Sequence, residues 1–159
     1  QIVAKLIKWN YQKMEQQPKP ENYEFDSKKY DELKNRAIDR IAELSFVKEF
    51  DSDNPREKAE DIWESFMMNT EPDINKKFAD VGMSTNYSTV NSRGVLGNKS
   101  MELFLENIDD IVRQVELKIQ ELQEQNTSFG YEMVFNKIAK QNFLDILNVE
   151  IEKAGKPDT

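Results

Sequence analysis

Residues 101–125, MELFLENIDDIVRQVELKIQELQEQ, carry the most regular apolar pattern in the chain. Apolar side chains recur there at spacings of three and four residues, which is the period of one face of an α-helix. They form an unbroken seam of Phe104, Ile108, Ile111, Val115, Ile119 and Leu122. The pattern predicts a single helix over residues 101–125, with a length of about 37 Å.

Residues 126–130 follow this helix and contain Asn, Ser and Gly, which are common in turns. A second long pattern then begins, with apolar residues at helical spacing at Tyr131, Val134, Phe135, Ile138, Phe143, Ile146 and Leu147. Because the connection is short, the two helices are predicted to form an antiparallel hairpin. Gly155 and Pro157 are expected to end the fold.

Four further helices are predicted before residue 101, all from apolar residues at helical spacing. The best-defined start has Asn54 as its N-cap, Pro55 at the first helical position and Glu57 three residues after the cap. Pro72 is expected to separate the third helix from the fourth, and Gly82 to end the fourth. The predicted segments are a helix at 1–17, a linker at 18–26, and helices at 27–50, 54–69 and 72–81.

Residues 82–100 differ in composition, because they hold three of the five glycines together with many Ser, Thr and Asn residues. Such a stretch predicts a long polar loop that is mobile or functional. A short hairpin that pairs residues 87–90 with residues 95–96 is the alternative within it. The chain is therefore predicted to be all-α, a helical bundle of five or six helices with the C-terminal hairpin and this loop.

The length of 159 residues suits a single domain that covers the whole chain. Because the sequence opens at Gln1 inside a helical pattern, we expect it to be a fragment or a processed product of a longer protein. No apolar run approaches the roughly 20 residues of a membrane-spanning helix. The lysines of residues 1–17 would suit a membrane surface, but packing of this stretch onto a core is favoured over membrane binding.

The chain contains no histidine and no cysteine. It therefore lacks the side chain that titrates near neutral pH, the thiolate nucleophile and the cysteine ligands of zinc or iron–sulfur sites. The net charge of −8 argues against nucleic-acid binding, which depends on clustered basic residues. The absence of cysteine fits both a cytosolic protein and a secreted one without disulfides, and the cytoplasm is slightly favoured.

Three features of the sequence resemble known binding motifs but lack residues that those motifs require. In residues 94–100, Asn98 replaces the glycine that must precede the lysine of a phosphate-binding loop. In residues 51–62, proline and arginine occupy the fifth and sixth positions of a calcium loop, which require an oxygen ligand and a glycine. Paired carboxylates occur at Glu60–Asp61, Asp109–Asp110 and Glu150 with Glu152, and the first pair is expected to face solvent. No cofactor and no metal is therefore predicted.

The missing catalytic residues favour a non-enzymatic protein–protein interaction or assembly module, which docks a protein partner through an apolar helical face. Four candidate partner-binding residues are Leu103, Leu117, Trp9 and Trp63. Leu103 and Leu117 stand opposite the seam of residues 101–125, so that helix is expected to contact neighbours on both faces. The two tryptophans lie on apolar helix sides, where core packing competes with a role in partner binding.

The alternative function is a small enzyme or ligand-binding domain that uses Asp, Glu, Lys or Tyr. In that hypothesis the loop at residues 82–100 acts as a lid over a small-molecule site. It requires acidic side chains that converge in a pocket.

Overall fold

The computed structural model describes residues 25–50, 53–81 and 90–155, and these residues form six α-helices and no strand. The fold is all-α, as the sequence predicts. The helices are α1 (Ser27–Ala42), α2 (Ser45–Phe50), α3 (Pro55–Val81), α4 (Val90–Glu106), α5 (Ile108–Glu124) and α6 (Tyr131–Gly155). The helix predicted at 1–17, most of the linker at 18–26, Gly82 and Pro157 lie outside the described residues.

An aromatic cluster forms the core where α3, α4 and α6 meet. Helices α1 and α6 each pack against α3, α4 and α5. The Phe104 ring of α4 stacks on Phe66 of α3 with centroids 5.2 Å apart, and it meets Phe143 of α6 edge-on at 5.8 Å. All three rings are at most 1% exposed. Each contributes about 1.5–3 kcal/mol by burial, so this cluster holds the three helices together.

The helix predicted over residues 27–50 is in fact two helices, α1 and α2. The chain leaves helical geometry at Glu43 and Leu44, and Leu44 is completely buried. Helix α2 begins where the Ser45 amide donates a hydrogen bond of 2.5 Å to Glu116 Oε1 of α5. The first amides of a helix need such an acceptor. Since this one lies 71 residues away, no local signal in the sequence reveals the break.

Helix α3 is a single helix of 27 residues, whereas the sequence predicts two helices separated at Pro72. Its start is confirmed, because Asn54 Oδ1 accepts a hydrogen bond of 3.2 Å from the Glu57 amide. Pro72 is exposed, and the carbonyl that loses its hydrogen bond belongs to the exposed residue Met68, where water can substitute. Buried phenylalanines on both sides of Pro72 hold the two halves on the core.

Residues 90–100 are helical, so the long polar loop predicted over residues 82–100 is wrong in this part, and so is the hairpin alternative. Residues 82–89 lie outside the described residues. Leu96 and Met101 are 3% and 5% exposed. Burying one such side chain contributes about 1.5–3 kcal/mol, whereas a glycine inside a helix costs about 1 kcal/mol. Burial therefore outweighs the weak local helix propensity.

The helix predicted over residues 101–125 is interrupted once. Helix α4 ends at Glu106, Asn107 has φ −97° and ψ 14°, and α5 begins at the next residue. Leu105 and Ile108, on either side of the break, are both completely buried. Apolar residues of both helices therefore lie in the core directly beside the break.

The predicted C-terminal hairpin is present as α5 and α6, which pack antiparallel. Leu122 and Phe129 line the same groove near the turn. Farther from the turn, Gln114 and Asn142 exchange side-chain hydrogen bonds of 3.1 and 3.4 Å. Helix α6 runs to Gly155, the last residue that the structure describes.

Candidate partner-binding surface

Seven large apolar side chains are exposed in the described part of the chain, and three of them lie together. Phe50, Tyr131 and Met133 are 71%, 38% and 74% exposed. All three line one groove of about 520 Å³ between α2 and the start of α6, which we call the turn groove. The buried ring of Phe46 also lines it and supplies an apolar floor.

Neighbouring groups fix the orientation of these exposed rings. Tyr131 stacks on Phe46 with centroids 5.1 Å apart and meets Phe129 edge-on at 4.9 Å. The Lys58 ammonium lies 4.1 Å from the centroid of the Phe50 ring, in a cation–π contact. The aromatic surface is therefore preorganised, and little side-chain entropy is lost when a partner covers it.

The turn between α5 and α6 places this surface. Asn126 adopts the left-handed region with φ 54°, which asparagine tolerates better than most residues. Its amide donates to the Gln123 carbonyl, and the Thr127 amide donates to the Leu122 carbonyl, both at 3.1 Å. This pair of hydrogen bonds closes the end of α5 in a Schellman motif. It directs the chain back so that α6 starts beside α2 and α5.

A second groove runs between α5 and α6, and we call it the hairpin groove. It has a volume of about 900 Å³ and shares Gly130 and Met133 with the turn groove, so the two form one continuous surface. Its apolar lining comes from Leu122, Phe129, Met133, Val134 and Ile138.

The charged residues that line the hairpin groove are Lys118 of α5 and Lys137 of α6. None of its twelve lining residues, all within the described ranges, is acidic, although the chain carries 30 acidic residues. At the end farthest from the turn, Gln114 donates a hydrogen bond of 2.8 Å to Asp110. Hydrogen bonds from Arg113 and Gln114 hold the pKa of Asp110 below its usual value, so this carboxylate is charged at neutral pH.

The three sequence-predicted partner-binding residues that the structure describes do not meet in one place. Trp63 is 3% exposed and packs on Phe66 with centroids 5.4 Å apart, so it belongs to the core and not to a binding face. Leu117 is 55% exposed but lines neither of the two grooves. Leu103 lies on α4, across the break from Leu117 on α5. Trp9 lies outside the described residues.

Leu103 lines a third groove of about 490 Å³, together with Ile146 and Val149 of α6. Its charged lining residues are all acidic, in contrast to the hairpin groove: Glu106 and Asp145 are exposed at the rim, and Glu150 lies deeper. Among these acids, Glu150 is buried and pairs with Lys99. The two grooves therefore offer opposite charges on the same fold.

Sequence reasoning missed Phe50, Met133 and the two lysines of the hairpin groove. Met133 stands off the apolar stripe of α6 and is followed by the buried Val134. Phe50 is the last residue of α2. An apolar residue outside a helix stripe was the available signal, but such residues also occur singly on ordinary surfaces.

The described residues do not assemble a metal or phosphate site. No group of three or more acidic side chains in residues 25–50, 53–81 and 90–155 is placed to hold a metal ion. The phosphate-loop-like string at residues 94–100 lies inside α4, where Lys99 Nζ contacts Glu150 Oε2 at 3.1 Å. Asp109 pairs with Arg36 at 2.6 Å and Arg40 at 2.7 Å, which are structural ion pairs between α1 and α5.

Across the described helices, no segment combines the length and the apolar character that crossing a bilayer requires. Comparisons with protein-family models, with curated proteins and with solved structures find no match.

Proposed function

We propose that this chain is a non-enzymatic protein–protein interaction module that docks a partner at the turn groove and the adjoining hairpin groove. One observation carries the proposal: Phe50, Tyr131 and Met133 converge on one continuous surface, while the other exposed apolar residues do not line either groove. Contiguous apolar surface is a common mark of interaction sites, whereas scattered apolar residues are not.

The energetics of this surface suit docking. Covering an exposed Phe or Met side chain contributes about 1.5–3 kcal/mol. Phe50 and Met133 together therefore offer a binding energy similar to that of a small hot spot. Phe46 and Phe129 hold the Tyr131 ring and Lys58 holds the Phe50 ring, so these two rings lose little side-chain entropy on binding.

A small-molecule site is the second candidate, supported by the size of the hairpin groove. Its volume of about 900 Å³ falls within the range of known ligand pockets, about 300–1,000 Å³. The groove is open to solvent, however, and ligand pockets enclose most of their ligand. The lid expected at residues 82–100 is also lost in part, because residues 90–100 belong to α4.

Met133→Asp is expected to weaken docking strongly, because it places a charge in the centre of the apolar surface. Peptides selected for binding from a random display library provide the probe, and their affinity is measured by fluorescence anisotropy. We expect affinity to fall at least about tenfold in Met133→Asp, which corresponds to about 1.4 kcal/mol. The change should not alter stability by more than about 0.5 kcal/mol, since the residue is exposed.

Met68→Asp is the matched control. Met68 and Met133 are both 74% exposed, but Met68 lines neither groove. Its replacement should leave peptide affinity within about twofold, a difference below about 0.5 kcal/mol. If the selected peptides bind Met133→Asp as tightly as the original chain, the docking surface lies elsewhere and the proposal fails.

A further inference from the structure

The hairpin groove combines an apolar lining with a positive rim. We infer that this groove receives an amphipathic helix from the partner, and that acidic residues flank the apolar residues of this helix. This inference rests on the proposed function. Lys118 and Lys137 stand on different helices, so a segment in the groove has one lysine available from each wall. Attraction to both lysines would set the orientation of the segment as well as its affinity.

The charge of the groove is opposite in sign to the net charge of the chain. The sequence has 30 acidic and 22 basic residues, yet none of the described residues that line the groove is acidic. The third groove has the opposite character, because the exposed charges among its lining residues are the acids Glu106 and Asp145. An acidic segment is therefore attracted to the hairpin groove and repelled by the third one, which gives selectivity between two apolar sites.

Both lysines are accessible to an acidic partner. Lys137 is exposed and forms no ion pair with any described residue. Lys118 Nζ lies 3.4 Å from Glu121 Oε1, with both side chains about half exposed. Such a surface pair is worth at most about 1 kcal/mol, so a better-placed carboxylate can replace it.

The dimensions of the groove fit a short helix. Along α5 its lining runs from Gln114 to Leu122, which is about 12 Å of helix. Along α6 it runs from the turn at Gly130 to Asn142, or about 18 Å. A partner helix of roughly 8–12 residues covers this length and presents apolar side chains at i, i+3 or i+4, and i+7.

The end of the hairpin groove farthest from the turn is polar and has a carboxylate beside it, and this sets the orientation of the partner. Gln114 and Asn142 satisfy each other there by mutual hydrogen bonds, and Asp110 lies beside Gln114. Acidic residues of the partner are therefore expected over the part of the groove that holds the two lysines, and away from Asp110.

Two synthetic peptides of about 14 residues test the inference, because that length covers the groove with one flanking residue or more at each end. They share Leu and Phe at i, i+4 and i+7 and differ only in having Glu or Lys at the flanking positions. The acidic peptide is expected to bind at least about tenfold more tightly at low ionic strength. Its advantage should shrink as salt is raised, because exposed charges are screened.

The double variant Lys118→Glu, Lys137→Glu should reverse the preference between the two peptides. Lys76→Glu is the control: Lys76 is exposed on α3 and lines neither groove, so the preference should not change. Equal affinity for both peptides, or a preference that survives the double reversal, overturns the inference. So does a long-chain fatty acid that binds with the same lysine dependence while the acidic peptide does not.

The two experiments distinguish failure of the acidic-helix inference from failure of the proposed function. If display-selected peptides depend on Met133 but ignore Lys118 and Lys137, the docking surface stands and the acidic-helix inference is overturned. If neither Met133 nor the lysines affect any peptide, both are overturned.

Discussion

Phe104→Ala is expected to lower the free energy of unfolding by about 3–5 kcal/mol, the usual cost of removing a buried phenylalanine ring. The Phe104 ring is completely buried and touches rings on two other helices: Phe66 at 5.2 Å and Trp63 at 6.4 Å on α3, and Phe143 at 5.8 Å on α6. Its loss leaves a cavity that three helices must close together. Domains of this size have a total stability of about 5–15 kcal/mol, so much of it would be lost.

Urea unfolding followed by far-UV circular dichroism measures this effect. Phe50→Ala makes the same chemical change at a ring that is 71% exposed, and it should cost no more than about 1 kcal/mol. If Phe104→Ala does not fold, Phe104→Leu keeps most of the volume and should show a smaller loss, about 1–2 kcal/mol. Equal losses for Phe104→Ala and Phe50→Ala would show that the aromatic cluster is not the core.

Lys99→Met is expected to destabilise the chain by about 2–3 kcal/mol, because it leaves a buried carboxylate without its closest cation. The Glu150 side chain is 5% exposed, and its Oε2 lies 3.1 Å from Lys99 Nζ. The Lys99 side chain is 26% exposed and Lys153 remains at 3.7 Å from the same carboxylate, so the loss falls below the roughly 3–5 kcal/mol of a fully buried pair.

A double variant separates the ion pair from simple packing. Lys99→Met combined with Glu150→Leu removes both charges, and it should recover at least half of the loss, since apolar replacements of a buried pair are often neutral. Lys153→Met is the single-site control: the Lys153 side chain is 60% exposed, and the change should cost less than about 0.5 kcal/mol. Equal urea midpoints for Lys99→Met and Lys153→Met would contradict the assigned role of Lys99.

Helix periodicity predicted the all-α class and the C-terminal hairpin, because the apolar seam of α5 and the stripe of α6 are strong local signals. The helix boundaries were harder to predict from the sequence, since long-range packing determines them. The break before Ser45 depends on Glu116, and the helicity of residues 90–100 depends on the burial of Leu96 and Met101. Pro72 predicted a helix end that does not occur, because α3 is held on the core on both sides of this proline.

The candidate surface could not be predicted from periodicity alone. For Trp63 the sequence favoured core packing over a role in partner binding, and the side chain lies in the core. Phe50 and Met133 meet only because the turn after α5 brings α6 beside α2. The pairing of Lys118 with Lys137 on one groove likewise requires the packing of two helices. Sites formed between helices are visible only once the tertiary structure is known.

The most direct test of the account is an NMR titration with the acidic peptide that follows the backbone amides and the methyl groups. We expect shifts at Leu122, Met133, Val134 and Ile138, which line the hairpin groove, with Ile146 and Val149 of the third groove unchanged. Shifts centred on Ile146 and Val149, or the absence of any saturable shift at Met133 and Ile138, would contradict it.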